Sequence, residues 1–153
     1  MEACAATGLE TVVYTFESDL EGFAYSGPAT VSHTGSFGNP GLGAIEIVST
    51  QNQSMRVFFN EPTQVDMSGL SLSLNIYVEP GATVAGHIYV QTNGFWSESY
   101  YPVLPTGVWV CMVLDMNNPT DPHAQFDPSS VEIYGLKLQA SGGFHAYVDQ
   151  FAY

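Results

Sequence analysis

The sequence has almost no basic residues. Arg56 and Lys137 stand against fifteen acidic residues in a chain of 153, which gives a formal net charge of −13. A surface of this sign repels the phosphate backbone of nucleic acids and the headgroups of anionic membranes. We therefore expect neither nucleic acid nor a membrane as a partner, whereas neutral ligands, cationic ligands and metal ions are permitted.

Cysteines and long apolar runs are also scarce. The two cysteines, Cys4 and Cys111, are too few for a disulfide framework, and we expect both thiols to be free. No apolar run approaches the ~20 residues of a membrane-spanning helix, and there is no signal-peptide core. Cys4 lies in the small-residue segment MEACAATG, so we expect residues 1–10 to be a linker remnant and residues 11–153 to be one module of a longer protein.

Common catalytic and metal-binding patterns are missing. The histidines share no metal-ligand spacing, and the sequence has neither a glycine-rich phosphate loop nor a Ser/His/Asp arrangement. These absences argue against a transition-metal site and against phosphoryl or acyl transfer.

What the sequence does contain is alternation of apolar and polar residues with a period of two. The segment LSLSLNIYV (70–78) places its Leu, Ile and Val residues on one face, and HIYVQT (87–92) and WVCMVLDM (109–116) follow the same pattern. AIEIVS and MRVFFN, joined by QNQS, are predicted to form a hairpin. Eight or more such strands predict an all-β domain, a two-sheet antiparallel β-sandwich with jelly-roll topology.

Four sequence segments, in this order, resemble those of a known family: FESDLEGF, LPTGVWVCMVLDM, FDPSSVEIYGLKLQA and FHAYVDQFAY. Together they are similar to the β-jelly-roll carbohydrate-binding modules appended to plant-cell-wall hydrolases, particularly mannanases and β-glucanases. The resemblance covers nearly the whole chain from Tyr14. It implies a secreted, monomeric, non-catalytic module that binds soluble β-glucan or mannan chains on a concave sheet and targets a covalently linked glycoside hydrolase.

The resemblance also implies a structural calcium ion. In such modules a carboxylate of the first strand and one of the last strand share a calcium ion, and the matching residues here are Glu17 and Asp149. Calcium takes six to eight oxygen ligands at about 2.3–2.6 Å, so backbone carbonyls must contribute, and we expect them around Thr34 to Ser36. The alternative is that both acids are merely exposed at strand ends.

A pattern of three acids near the N-terminus raises a second possibility. Glu17, Asp19 and Glu21 have the spacing of the catalytic strand in one large group of jelly-roll glycosidases. Gly22 favours a turn at this point, and residues i and i+4 of a strand lie roughly 13 Å apart, whereas a retaining glycosidase needs about 5–5.5 Å. Neighbouring acids come nearer, so the spacing alone does not exclude catalysis.

Sugar rings stack on aromatic side chains while their hydroxyls bond polar groups. The densest combination of such residues is the stretch HIYVQTNGFWSESYYPV, and polar positions on other strands could join it. Trp109 is expected to serve packing, and Phe126 to anchor a loop. The choice between Tyr100 and Tyr101 is open, because a bulge at Pro102 would change the register. The predicted carbohydrate-binding residues are Arg56, Tyr77, Tyr89, Gln91, Trp96, Tyr100, Lys137 and Gln139.

Two alternatives remain beside the binding module. One is a structural or adhesive spacer whose calcium ion only braces the fold, and the other is a jelly-roll glycoside hydrolase that uses Glu17, Asp19 and Glu21. A binding module requires an exposed aromatic residue on the concave sheet, which a spacer does not need.

Overall fold

The structure is a computed structural model that describes residue 4, residues 10–98 except the side chain of Glu98, and residues 102–153. No helix among these residues is long and apolar enough to cross a membrane. A single 3-10 turn, Pro128–Ser130, precedes β10. The strands are β1 (Val13–Tyr14), β2 (Ala24–Ser26), β3 (Ala29–Thr34), β4 (Ala44–Ser49), β5 (Ser54–Val65), β6 (Ser71–Val78), β7 (Val84–Thr92), β8 (Phe95–Glu98), β9 (Trp109–Asp115), β10 (Val131–Ala140) and β11 (Phe144–Ala152).

The strands form two antiparallel sheets. Sheet A has the order β3-β4-β11-β6-β9, with β1 paired to the end of β11, and sheet B has the order β2-β5-β10-β7-β8. The sheets pack face to face around one shared core. This arrangement confirms the predicted all-β fold class, a jelly-roll sandwich.

The core is built by the alternating residues of both sheets. In β6 the apolar residues Leu72, Leu74 and Ile76 are fully buried, as their spacing predicts. Sheet B contributes Ile88 from β7 and Leu136 from β10. Burial of each such side chain contributes roughly 1.5–3 kcal/mol to folding. The residues between them point to the two outer faces, where the candidate sites lie.

The predicted hairpin between AIEIVS and MRVFFN is wrong. These segments become β4 and β5, but β4 pairs with β3 and β11 in sheet A, while β5 pairs with β2 and β10 in sheet B. Both strands bury an apolar face in the same core from opposite sides. Their alternation therefore resembles that of a hairpin although the chain crosses between the sheets.

The prediction that both cysteines are free is also wrong. Cys4 and Cys111 form a disulfide across a sequence separation of 107 residues. Cys111 lies on edge strand β9, opposite Asn75 of β6, and the backbone N–H of Cys4 donates to Asn75 Oδ1. The fold brings Cys4 to this strand, which residue spacing in the sequence does not reveal.

Candidate functional site

Most of the predicted sugar-binding residues lie on the outer face of sheet B. Lys137 of β10 lies opposite Arg56 of β5 on one side and opposite His87 of β7 on the other. One end of this face carries Gln91, which lies opposite Trp96 of β8. The antiparallel register therefore unites residues that are more than eighty positions apart in the sequence.

Arg56 and two aromatic rings form the centre of this face. The Arg56 guanidinium carbon lies 4.9 Å from the centre of the Trp96 ring and 5.6 Å from that of Tyr89. The two rings contact each other with centres 4.9 Å apart. Cation–π contacts of this kind contribute about 0.5–1 kcal/mol at exposed positions and more where water is excluded. Trp96 is therefore held in place by contacts with both Arg56 and Tyr89.

The rings of Trp96 and Tyr89 differ in their exposure to solvent, and therefore in their roles. Trp96 is 39% exposed, whereas Tyr89 is fully buried. The prediction that Tyr89 contacts sugar needs correction, because a ring without accessible surface offers no stacking platform. Tyr89 instead supports Trp96, whose exposed ring offers a stacking surface on this face.

Sequence reasoning missed Glu132, which organises the polar end of this face. Its Oε2 accepts hydrogen bonds from Gln91 Nε2 at 3.4 Å and from the backbone N–H of Gly94 at 3.1 Å. Its Oε1 accepts a hydrogen bond from Gln64 Nε2 at 3.0 Å. One carboxylate thus orients the Gln91 amide and fixes the turn that leads into Trp96. No motif marks this residue in the sequence, because its partners come from three different segments.

An open depression of about 430 Å³ adjoins Trp96, and the loop 121–124 lines it. The ring of His123 stacks on Phe95 of β8, with centres 4.6 Å apart and planes 18° from parallel. The His123 backbone N–H also donates to Ser97 Oγ at 3.1 Å. Sequence reasoning did not assign this loop to the site, since its approach to β8 is a tertiary contact. The depression extends the surface beside Trp96 with polar groups.

The remaining predicted residues have different outcomes. Gln139 lies exposed on β10, two residues beyond Lys137. Tyr77 does not join the other residues, because it belongs to β6 in sheet A, so its prediction as a member of this face is wrong. Tyr77 alternates with core residues as expected, but that alternation does not specify which sheet a strand joins. Tyr100 lies outside the described residues.

The predicted calcium ligands Glu17 and Asp149 both contact the loop 38–43. Asp149 Oδ2 accepts a hydrogen bond from the Asn39 backbone N–H at 2.6 Å, and Glu17 Oε2 accepts one from the Gly43 backbone N–H at 3.3 Å. A Cβ atom at Gly41 would overlap Glu17 Oε1. The close approach of this loop therefore requires glycine, and the segment GNPGLG was the sequence signal for it.

The expected position of the calcium carbonyl donors stays a prediction. We expected them around Thr34 to Ser36, whose hydroxyls contact each other at 3.2 Å, and the loop 38–43 offers further backbone oxygens beside the two carboxylates. Among the described residues, no group of three or more His, Cys, Asp or Glu side chains could hold a metal ion. A calcium ion held by Glu17 and Asp149 would therefore depend on backbone oxygens of this loop.

The charges of Glu17 and Asp149 favour the binding of a cation. Asp149 is fully buried, and burial, reinforced by the charge of Glu17, raises the pKa of Asp149 from 3.8 to about 6. Hydrogen bonds from the backbone N–H groups of Asn39 and Gln150 oppose this rise. Two carboxylates that repel each other beside a tight loop gain stability when a divalent ion binds between them.

The three N-terminal acids do not share a strand face. Residues 15–22 lie outside every strand, and both Glu21 and Gly22 have positive φ angles of 47° and 85°. Glu21 Oε2 accepts a hydrogen bond from the Phe16 backbone N–H, while Asp19 Oδ1 accepts one from the Glu21 backbone N–H. The segment is a bend, as Gly22 predicts, and the strand geometry of the glycosidase pattern is not formed.

Comparisons with known proteins identify the fold. No protein-family model matches the sequence, and no curated protein matches it significantly. A solved structure described as a carbohydrate-binding module of promiscuous specificity from the β-sandwich superfamily has a TM-score of 0.62 and 20% identity. That match covers 85% of this chain and 56% of the other, so this chain spans about half of that protein.

Two further structures have the same fold. The C-terminal family 22 carbohydrate-binding module of Clostridium thermocellum Xyn10B gives a TM-score of 0.68 at 14% identity, with 96% of this chain and 93% of that chain covered. An exo-β-agarase gives 0.70 at 16% identity, with 91% of this chain and 24% of that chain covered. At these identities the likeness establishes the fold alone, a two-sheet β-sandwich.

Proposed function

We propose that this chain is a non-catalytic module that binds a neutral β-linked polysaccharide on the outer face of sheet B. The observation that carries the proposal is the exposed ring of Trp96, held by contacts with Arg56 and Tyr89 next to Gln91. Stacking on Trp96 supplies apolar contact, and the polar neighbours supply hydrogen bonds to sugar hydroxyls. Because Trp96 is already fixed by its neighbours, binding loses little side-chain entropy.

The sugar we favour is of the β-glucan or mannan type, as the sequence resemblance implies. Xylan belongs in the same test, because one neighbour in fold is described as a xylan-binding domain from Paenibacillus barcinonensis Xyn10C. Stacking on a single ring tolerates different sugars, so the identity of the sugar must come from the hydroxyl contacts of Gln91, Lys137 and Gln139.

We further propose that the module is secreted and linked to a glycoside hydrolase. Disulfides persist in oxidising compartments, so the Cys4–Cys111 bond favours an extracellular location. One neighbour in fold comprises CBM22-1 and GH10 modules of a Clostridium thermocellum xylanase, which supports the expectation of an attached hydrolase. The module's role would then be to hold that enzyme on its substrate.

A structural calcium ion is part of the proposal. Glu17 and Asp149 would bind it together with backbone oxygens of the loop 38–43. The ion would neutralise the repulsion between the two carboxylates and tie together the segment after β1, this loop and the last strand. Because these residues belong to sheet A and its loops, the ion would act on stability rather than on the sugar-binding face of sheet B.

Affinity electrophoresis tests the proposal directly. The protein is run through gels that contain β-glucan, mannan or xylan, with calcium and with chelator, and a gel without polysaccharide is the control. At least one neutral polysaccharide should retard the protein, and the retardation should persist at high ionic strength because screening does not affect a neutral ligand. Unchanged mobility in every gel would reject the binding module in favour of a calcium-braced spacer.

A further inference from the structure

The outer face of sheet A carries four aromatic rings in contact. Tyr147, Tyr77 and Trp109 lie directly opposite one another on the neighbouring strands β11, β6 and β9. The ring centres of Tyr147 and Tyr77 are 6.2 Å apart, and those of Tyr77 and Trp109 are 5.7 Å apart. Phe37, from the loop before β4, lies 4.5–5.7 Å from all three. We name these four residues the sheet A aromatic patch.

The patch remains accessible to solvent. Phe37 is 38% exposed, and the other three side chains are half-buried. A ring that only anchored its loop would be buried, as Phe16 is in the core. Phe37 is instead stacked on Trp109, with ring planes 24° from parallel, and keeps part of its own ring exposed.

Hydrogen-bond acceptors border the patch. The two ring nitrogens of His145 lie 2.7 Å from Glu46 Oε1 and 3.1 Å from Glu79 Oε1. The Tyr147 hydroxyl donates to Glu79 Oε1 at 3.4 Å. The only two Lys or Arg residues of the chain lie on sheet B, so no such cation faces a ligand here. This acidic border repels phosphates, acidic glycans and anionic lipids.

We propose that the sheet A aromatic patch is a second glycan-binding surface, which takes a neutral polysaccharide chain. Its three sheet rings lie 5.7 and 6.2 Å apart on neighbouring strands, in a row that an extended sugar chain can follow. Sugar C–H faces stack on the rings, and hydroxyls donate to the carboxylates of Glu46 and Glu79. With one surface on each sheet, a single domain binds two chains on opposite sides. The choice of ligand class rests on the proposed function.

The two tryptophans of the chain allow each surface to be measured separately. Trp96 lies on sheet B and Trp109 on sheet A, and there is no other tryptophan. In Trp96→Phe the fluorescence reports on sheet A alone, and in Trp109→Phe it reports on sheet B alone. Each variant is titrated with the neutral polysaccharide that most retards the wild type, with mannan, β-glucan and xylan as the set.

The expected result is a saturable change of Trp109 emission in Trp96→Phe. Phe37→Ala in that background should weaken the measured affinity about tenfold, while Val113→Ala, an exposed position of the same sheet outside the patch, should leave it unchanged. Arg56→Ala should weaken binding on sheet B but leave the affinity reported by Trp109 unchanged, because Arg56 does not lie on sheet A. The far-UV spectrum and melting temperature of each variant check that the fold is intact.

Other results would reject the second surface or both proposals. If Trp109 emission stays constant while Trp96 emission responds in Trp109→Phe, the proposed function stands and the second surface is rejected. A Trp109 response that disappears with Arg56→Ala assigns the signal to sheet B and also rejects the second surface. A basic peptide is titrated in parallel, and a Trp109 response to it but to no neutral polysaccharide rejects the glycan in favour of a protein partner. If neither tryptophan responds to any polysaccharide, both proposals fail.

Discussion

Arg56 covers Trp96 with its guanidinium carbon 4.9 Å from the ring centre. This contact holds the exposed ring in one orientation, so we predict that Arg56→Ala weakens polysaccharide binding about fivefold, which corresponds to about 1 kcal/mol. Arg56→Lys should recover only part of the affinity, because an ammonium group lacks the planar stack. Isothermal titration calorimetry of the three proteins measures the effect. Full affinity in Arg56→Ala would show that the ring needs no such support.

Calcium should raise the thermal stability of the protein. A ligand that binds only the folded state stabilises it by RT ln(1 + [L]/Kd), so the melting temperature should be higher in calcium than in chelator. Glu17→Gln, which removes one of the two carboxylates, should abolish most of the difference. Differential scanning calorimetry after verified metal removal provides the measurement. Coincident melting curves for the wild type in calcium and chelator would refute the site.

The buried carboxyl of Asp149 should give the metal-free protein a distinctive pH dependence. Its pKa is raised from 3.8 to about 6, so the folded state binds this proton more tightly than the unfolded state. The resulting stabilisation is complete below pH 3.8 and is lost as the pH rises to about 6. The loss from this group is on the order of 2–3 kcal/mol.

Urea unfolding in chelator at several pH values between 4 and 7 tests this effect. Glu17→Gln is the matched control, because it removes the neighbouring charge that contributes to the raised pKa of Asp149. The variant should therefore lose less stability over this range than the wild type does. Equal slopes in the two proteins would show that Glu17 does not influence Asp149.

The disulfide between Cys4 and Cys111 should contribute strongly to stability. It closes a loop of 107 residues, and the chain-entropy model assigns about 4.7 kcal/mol to a loop of this size. We expect the double variant Cys4→Ser, Cys111→Ser to lose about 3–5 kcal/mol, measured by urea unfolding, while its affinity for polysaccharide on sheet B is unchanged. An unchanged unfolding midpoint would mean that the bond does not constrain the unfolded chain.

Alternation in the sequence predicted which residues face the core but not which sheet each strand joins. Leu72, Leu74 and Ile76 are buried as expected, because a strand with one buried face must alternate. Tyr77 alternates correctly with them and yet belongs to the opposite sheet from Trp96. The two sheets of a sandwich share one core, so their strands have the same pattern, and strand order must come from tertiary contacts.

The same limit applies to the residues of the candidate site, since alternation does not assign their strands to a sheet. Alternation placed Arg56, Trp96 and Lys137 on polar faces, and the family resemblance, not alternation, placed those faces on one sheet. Glu132 and the loop 121–124 could not, since they reach the site through turns and long-range hydrogen bonds. The disulfide was missed because its cysteines are 107 residues apart, and the contacts of loop 38–43 with Glu17 and Asp149 were missed although GNPGLG marks the loop itself.

The most direct test of the central claim is the affinity of Trp96→Ala for the polysaccharide that the wild type binds best, measured by isothermal titration calorimetry. Loss of the exposed ring should cost on the order of 2 kcal/mol, a roughly thirtyfold weaker Kd. Gln139→Ala is the matched variant on the same face and should cost about 1 kcal/mol, as expected for one hydrogen bond. A folded Trp96→Ala protein that keeps the full wild-type affinity would contradict the assignment of sheet B as the binding face.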